Sequence, residues 1–218
     1  MAKYKKLTID EVEFTDDEKN RLKEFFEEKD KAFDTTDLNF NCYEYDTYIS
    51  YIDKEPIEEH IENLLEWKDP RWLSSNSEKG TSNVEEVKMK IDAIKEFRKK
   101  SKVKEELSVF KGGTGVYDVL IKHIALPTEY PLFDIHVLGA YFRLEKGFDD
   151  GEFTHRKLYD ELYKEYRKFF LNLYERVFNE KPKNDKKTIE RMKRLDNALL
   201  NYDKEKAKQK NPNQTKED

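Results

Sequence analysis

Between Tyr159 and Val177 the apolar residues Tyr159, Leu162, Tyr163, Tyr166, Phe169, Phe170, Leu173, Tyr174 and Val177 recur at helical intervals. That spacing gathers them on one face of a helix and leaves the charged residues between them on the other. The same periodicity runs through most of the chain. Thr15 followed by Glu18 makes a capping box, and Leu22, Phe25, Phe26 and Phe33 follow on one face. Ile57, Ile61, Leu64 and Leu65 mark a helix from about Pro56 that stops before Pro70. Ser82 and Glu85 form a second capping box ahead of Val84, Val87, Ile91, Ile94 and Phe97. Pro182, within 181–185, separates the long aromatic helix from a last one carrying Ile189, Met192, Leu195, Leu199 and Tyr202. The expectation is an all-α fold of seven to nine helices. Thr35 to Ile52 is mixed, so one small β element near 39–45 is compatible with it, as are two short helices.

Periodicity of this kind folds only if the faces bury enough area. Charged residues make up 41% of the 218 and hydrophobic ones 36%, a lean ratio. The 13% of aromatic residues compensates, because each ring buries a large surface. One cysteine, Cys42, excludes an internal disulfide framework and a cysteine-rich metal site. No apolar run approaches the roughly 18 residues of a membrane helix, and no signal-peptide pattern opens the chain. A cytoplasmic setting without membrane contact is expected, with no cofactor and no metal.

The net charge of −5 conceals an asymmetry. Residues 1–70 hold 21 acids against 10 bases, whereas 151–218 hold 13 acids against 18 bases. Such a division suits a polyanion-binding part joined to an acidic part that could dock a protein partner. The densest basic run, Arg98, Lys99, Lys100, Lys102, Lys104 and Lys111, is accounted for as well by plain solvation of helices by Lys and Glu. The expected organisation is an acidic helical region over 1–70, a core over 71–202 and a disordered charged tail over 203–218.

Three of only seven glycines fall at Gly112, Gly113 and Gly115, between helical stretches that end at Phe110 and resume at Val116. Glycines so grouped permit backbone amides to point outward at the start of a helix, an arrangement that holds a phosphate. A tight turn with a glycine cap uses the same residues. Lys111 and Lys122 flank the turn. Beyond it, Pro131-Leu132-Phe133-Asp134-Ile135-His136-Val137 opens another apolar helix with an aspartate in the capping position.

A glycine hairpin, about twenty residues, and then this aspartate-containing segment together resemble the helix-hairpin-helix DNA glycosylase superfamily. Arg194 to Tyr202 is similar to the closing helix of small stand-alone proteins with an 8-oxoguanine-glycosylase-like fold. The resemblance covers about 82–202 and implies a DNA partner. It implies that Asp134 is catalytic and that Lys111, Gly113, Thr114, Gly115, Lys122 and His136 hold the strand. Tyr117, Tyr130, Phe133 and Tyr141 are the candidates for stacking on a flipped base, although core packing is the commoner use of such rings. His136 serves equally well as a hydrogen-bonded structural residue.

The chemistry suits those residue types. Cleaving an N-glycosidic bond builds positive charge on the sugar, which a carboxylate stabilises, and the same group can orient water. Members that also cut the backbone use a lysine shortly after the hairpin glycines; here Val116 and Tyr117 stand there. A monofunctional glycosylase using Asp134 and water is therefore the implied activity. The alternative is a module in genome maintenance or phage defence that keeps the fold to bind nucleic acid or a protein.

Overall fold

The computed structural model describes residues 5–8, 14–35, 39–42, 119–120, 122–123, 125–147 and 159–210. Two compact units divide the chain: Met1–Tyr43 with Pro131–Asp218, and Glu44–Tyr130. Residues 1–70 are thus shared between both units, and the first 43 belong with the C-terminal helices.

In the first unit β1 (Lys5–Thr8) pairs antiparallel with β2 (Asn39–Cys42), Lys5 opposite Cys42 and Thr8 opposite Asn39. Between them runs α1 (Asp16–Lys29). It begins where the capping box places it: Glu18 N–H donates to Thr15 Oγ1 (3.3 Å), and Thr15 N–H donates to Glu18 Oε2 (2.9 Å). After Asp134 comes the short α2 (Ile135–Tyr141), which passes directly into a π-helical turn, Phe142–Lys146. Gly147 ends that turn at φ 69°, in the left-handed region that a glycine enters without steric cost. Then follow α3 (Tyr159–Phe178) and α4 (Lys186–Lys210). Asn179, at φ 53°, turns the chain out of α3. Asp185 Oδ1 accepts from Thr188 N–H (2.8 Å) and caps α4. Four α-helices therefore stand among the described residues, and no described helix is long and apolar enough to cross a membrane. Most of the remaining expected helices, including those from Pro56 and Ser82, lie outside the described residues.

The core of this unit is aromatic. Tyr202 of α4 stacks on Phe26 of α1 with centroids 5.2 Å apart and meets Phe33 edge-on at 4.7 Å. Phe133 packs on Tyr166 (4.9 Å), and Tyr141 packs on Phe169 (5.3 Å). With Phe25 of α1 on Phe169 of α3 (6.1 Å), these contacts join α1, α2, α3 and α4 through the faces their periodicity defines.

Charge closes the same interfaces. Arg191 of α4 pairs with Glu18 of α1 (2.7 Å) and with Glu180. Arg176 of α3 pairs with Glu28 (2.6 Å), and Lys206 pairs with Asp30 (2.6 Å). Three acids of the acidic region thus meet C-terminal cations within the unit. The charge asymmetry of the sequence is, in this part of the chain, internal complementarity.

α4 also runs eight residues past Tyr202, the last apolar position of its periodic pattern. Polar anchors hold that extension. Asp203 is buried, and Lys206 reaches Asp30, so the charged segment that composition marks as a disordered tail is helical as far as Lys210.

In the second unit the described segment covers 119–130, apart from 121 and 124. His123 Nδ1 lies 2.6 Å from the Tyr130 carbonyl, and Leu126 N–H donates to the Lys122 carbonyl (2.8 Å). Val119, Leu120, His123, Ala125, Leu126 and Tyr130 are buried.

Candidate functional site

Asp134 is set by what precedes it. Phe133 packs against both Tyr163 and Tyr166, and the Tyr163 hydroxyl donates to the Pro131 carbonyl (3.0 Å). With the chain so fixed, Asp134 adopts extended backbone (φ −142°) and its Oδ1 accepts from the amides of His136 (3.0 Å) and Val137 (3.1 Å). The residue as a whole is half-buried. It acts as the N-cap of α2, as the position of an aspartate before an apolar helix suggests.

The two helical turns that follow, the second running into the π-helical segment, build a second group. His136, Gly139 and Arg143 are spaced by three and four residues and share a face. Into that face comes Asp203 from α4. Its Oδ2 lies 2.9 Å from His136 Nδ1, and its Oδ1 lies 3.0 Å from Arg143 Nη1. Arg143 Nη1 also donates to the Asp203 carbonyl (3.2 Å). Gly139 makes this approach feasible, because a Cβ there would collide with the Asp203 carboxylate. The Asp203 side chain is 6% exposed, whereas that of His136 is 41% exposed. A buried, doubly held carboxylate therefore orients a half-exposed imidazole. Ile135, between Asp134 and His136, is 77% exposed, a large apolar side chain presented to solvent on this turn.

Two tyrosines near the site are shifted. Burial, then the carboxylates of Asp196 and Asp134, push the Tyr166 phenol well above its ordinary range, so it stays neutral. Burial and the hydrogen bond to Glu165 (2.9 Å) raise Tyr141. Glu165, in turn held by Lys146 (2.8 Å), is lowered.

Of the residues that the sequence marks, Asp134 and His136 meet through the His136 backbone amide, while the His136 ring turns to Asp203. Phe133 and Tyr141 are 1% and 3% exposed and belong to the aromatic core, as their packing on Tyr166 and Phe169 explains; they do not present a face to a flipped base here. Tyr130 is likewise buried, in the second unit, where Lys122 is half-buried on a helical turn. Lys111, Gly113, Thr114, Gly115 and Tyr117 lie outside the described residues. Asp203, Gly139 and Arg143 carry no motif of their own. The spacing of 136, 139 and 143 is a local signal, but Asp203 lies 67 residues from His136 and nothing local marks it. Among the described residues no group of three or more His, Cys, Asp or Glu could hold a metal ion.

No family model matches the chain, and comparisons with curated proteins and with solved structures find no match either.

Proposed function

We propose that this chain is a DNA-binding protein of the monofunctional glycosylase type, which rotates a modified base out of the helix and hydrolyses its N-glycosidic bond with Asp134 and water. The observation that supports this reading is the Asp134 carboxylate, on a half-buried residue, held at Oδ1 by two backbone amides. Donors at that oxygen favour the anion. A fixed anion facing the anomeric carbon stabilises the positive charge that builds as the bond to the base breaks. The hairpin glycines and Lys111 would hold the strand, and the absence of a lysine at 116 or 117 argues against a backbone-cutting step.

The test is base release from duplex oligonucleotides bearing oxidised, alkylated, deaminated or phage-modified bases. Wild-type protein releases one of them, and Asp134→Asn, which keeps an acceptor for the cap, folds normally and releases none. A wild-type protein that releases no base from any of them removes the catalytic reading.

One observation favours a second reading. With Tyr130, Phe133 and Tyr141 all buried, three of the four candidate stacking rings are withdrawn from a base pocket. A non-catalytic nucleic-acid-binding module, in genome maintenance or phage defence, needs none of them. It binds DNA with an affinity that falls as salt rises, survives Asp134→Asn, and weakens when Lys111, Gly113 or Gly115 is changed. A module that binds a protein through the acidic region instead shows no DNA binding at low salt.

A further inference from the structure

The pairing of His136 with Asp203 has the geometry of an oriented proton acceptor. Asp203 is buried, fastened by Arg143 through both its side chain and its carbonyl, and pressed against the bare Cα of Gly139. Its Oδ2 takes the Nδ1 edge of the imidazole at 2.9 Å. A carboxylate held on Nδ1 selects the tautomer with its proton there and leaves the lone pair on Nε2. Nε2 occupies the opposite edge of a ring that is 41% exposed. The partly exposed histidine is thus backed by a buried carboxylate that Arg143 itself holds, not by a surface ion pair.

We propose that His136, through Nε2, takes the proton of the attacking water, with Asp203 as its positioning residue; the role rests on the glycosylase reading of Asp134. Asp134 Oδ1 already receives two amide protons, which suits that carboxylate to remain an anion beside the sugar rather than to act as a base. In the step, the water oxygen forms its bond to the anomeric carbon as the carbon–nitrogen bond breaks. The electron pair of that bond leaves with the base, which takes a proton from solvent. The water proton passes to His136 Nε2 and from there to solvent.

Two measurements test this. The first needs no activity: the ¹⁵N shifts of His136 in the full-length protein report its tautomer. The neutral ring carries its proton on Nδ1 in the wild type, and Asp203→Asn abolishes that preference. A neutral ring protonated on Nε2, or one with no preference in the wild type, overturns the proposal. The second uses whichever modified duplex the wild type cleaves. His136→Gln lowers kcat by about 10²-fold or more with little change in KM. His136→Gly loses as much and recovers rate on adding imidazole, which a structural role would not produce. If His136→Gln cleaves as fast as wild type, this role fails while the reading of Asp134 stands. If the wild type cleaves nothing, both fall, whatever the tautomer.

Discussion

Gly139 and Asp203 are packed so closely that no side chain fits between them: a Cβ on Gly139 would occupy the place of the Asp203 carboxylate. Gly139→Ala is therefore expected to push Asp203 out of its pairing with Arg143 and His136. The cost is about 1–3 kcal/mol from overpacking, with more if Arg143 is left buried and uncompensated. Urea denaturation measures it, and the His136 ¹⁵N shifts should change in the same variant. An alanine variant as stable as wild type, with unchanged shifts, would show that the contact relaxes freely.

Phe133 separates packing from base recognition. Phe133→Ala removes a ring packed on Tyr163 and Tyr166 and should destabilise the protein by about 3–5 kcal/mol. Phe133→Leu keeps most of the volume and should cost below about 1.5 kcal/mol. On the proposed DNA-binding reading, the leucine variant binds DNA as the wild type does, because the ring belongs to the core. A selective loss of DNA binding in a well-folded leucine variant would return Phe133 to the base pocket.

Asp30 makes stability depend on acid. Burial opposes its ionisation, but donation from Lys206 and Tyr202 outweighs that, and its pKa lies below the ordinary value. The unfolded chain then binds the proton more readily than the folded one, so the stabilisation is complete at neutral pH. It is lost as pH falls below about 4, through the lowered folded value. Asp30→Asn should lower the urea midpoint at pH 7, and the gap from wild type should close towards pH 3. A constant gap across that range would assign the loss to packing instead.

Asp185 carries the start of α4. Removing its acceptor from the Thr188 amide in Asp185→Ala should cost about 1 kcal/mol, or about 2–4 °C in Tm for a chain of this size. A calorimetric scan decides it. An unchanged Tm would mean that water replaces the cap without loss.

Where α1 begins, that α3 stops before Pro182, and that α4 carries Ile189 to Tyr202 on one face were all legible in the sequence. Caps and periodicity act over three to seven residues, and the residues responsible are neighbours in the chain. Asp134 was legible for the same reason, as a capping residue two and three places ahead of the amides it holds. Less legible was the length of α4, since beyond Tyr202 it is sustained by Asp203 and Lys206, whose partners come from elsewhere in the chain.

Spacing and composition by themselves determined helices with aromatic faces among the described residues, the exclusion of an internal disulfide, and an aspartate at the head of an apolar helix. Only the tertiary structure decided which acids meet which bases, that Phe133 and Tyr141 face inward, and that Asp203 stands behind His136. The Glu18–Arg191 and Asp30–Tyr202 contacts join residues 173 and 172 positions apart, and the pair at the candidate site spans 67. A repeat of three or four residues fixes which face of a helix is apolar. Which partner that face meets follows from how the helices return on one another, and no short interval in the chain records it.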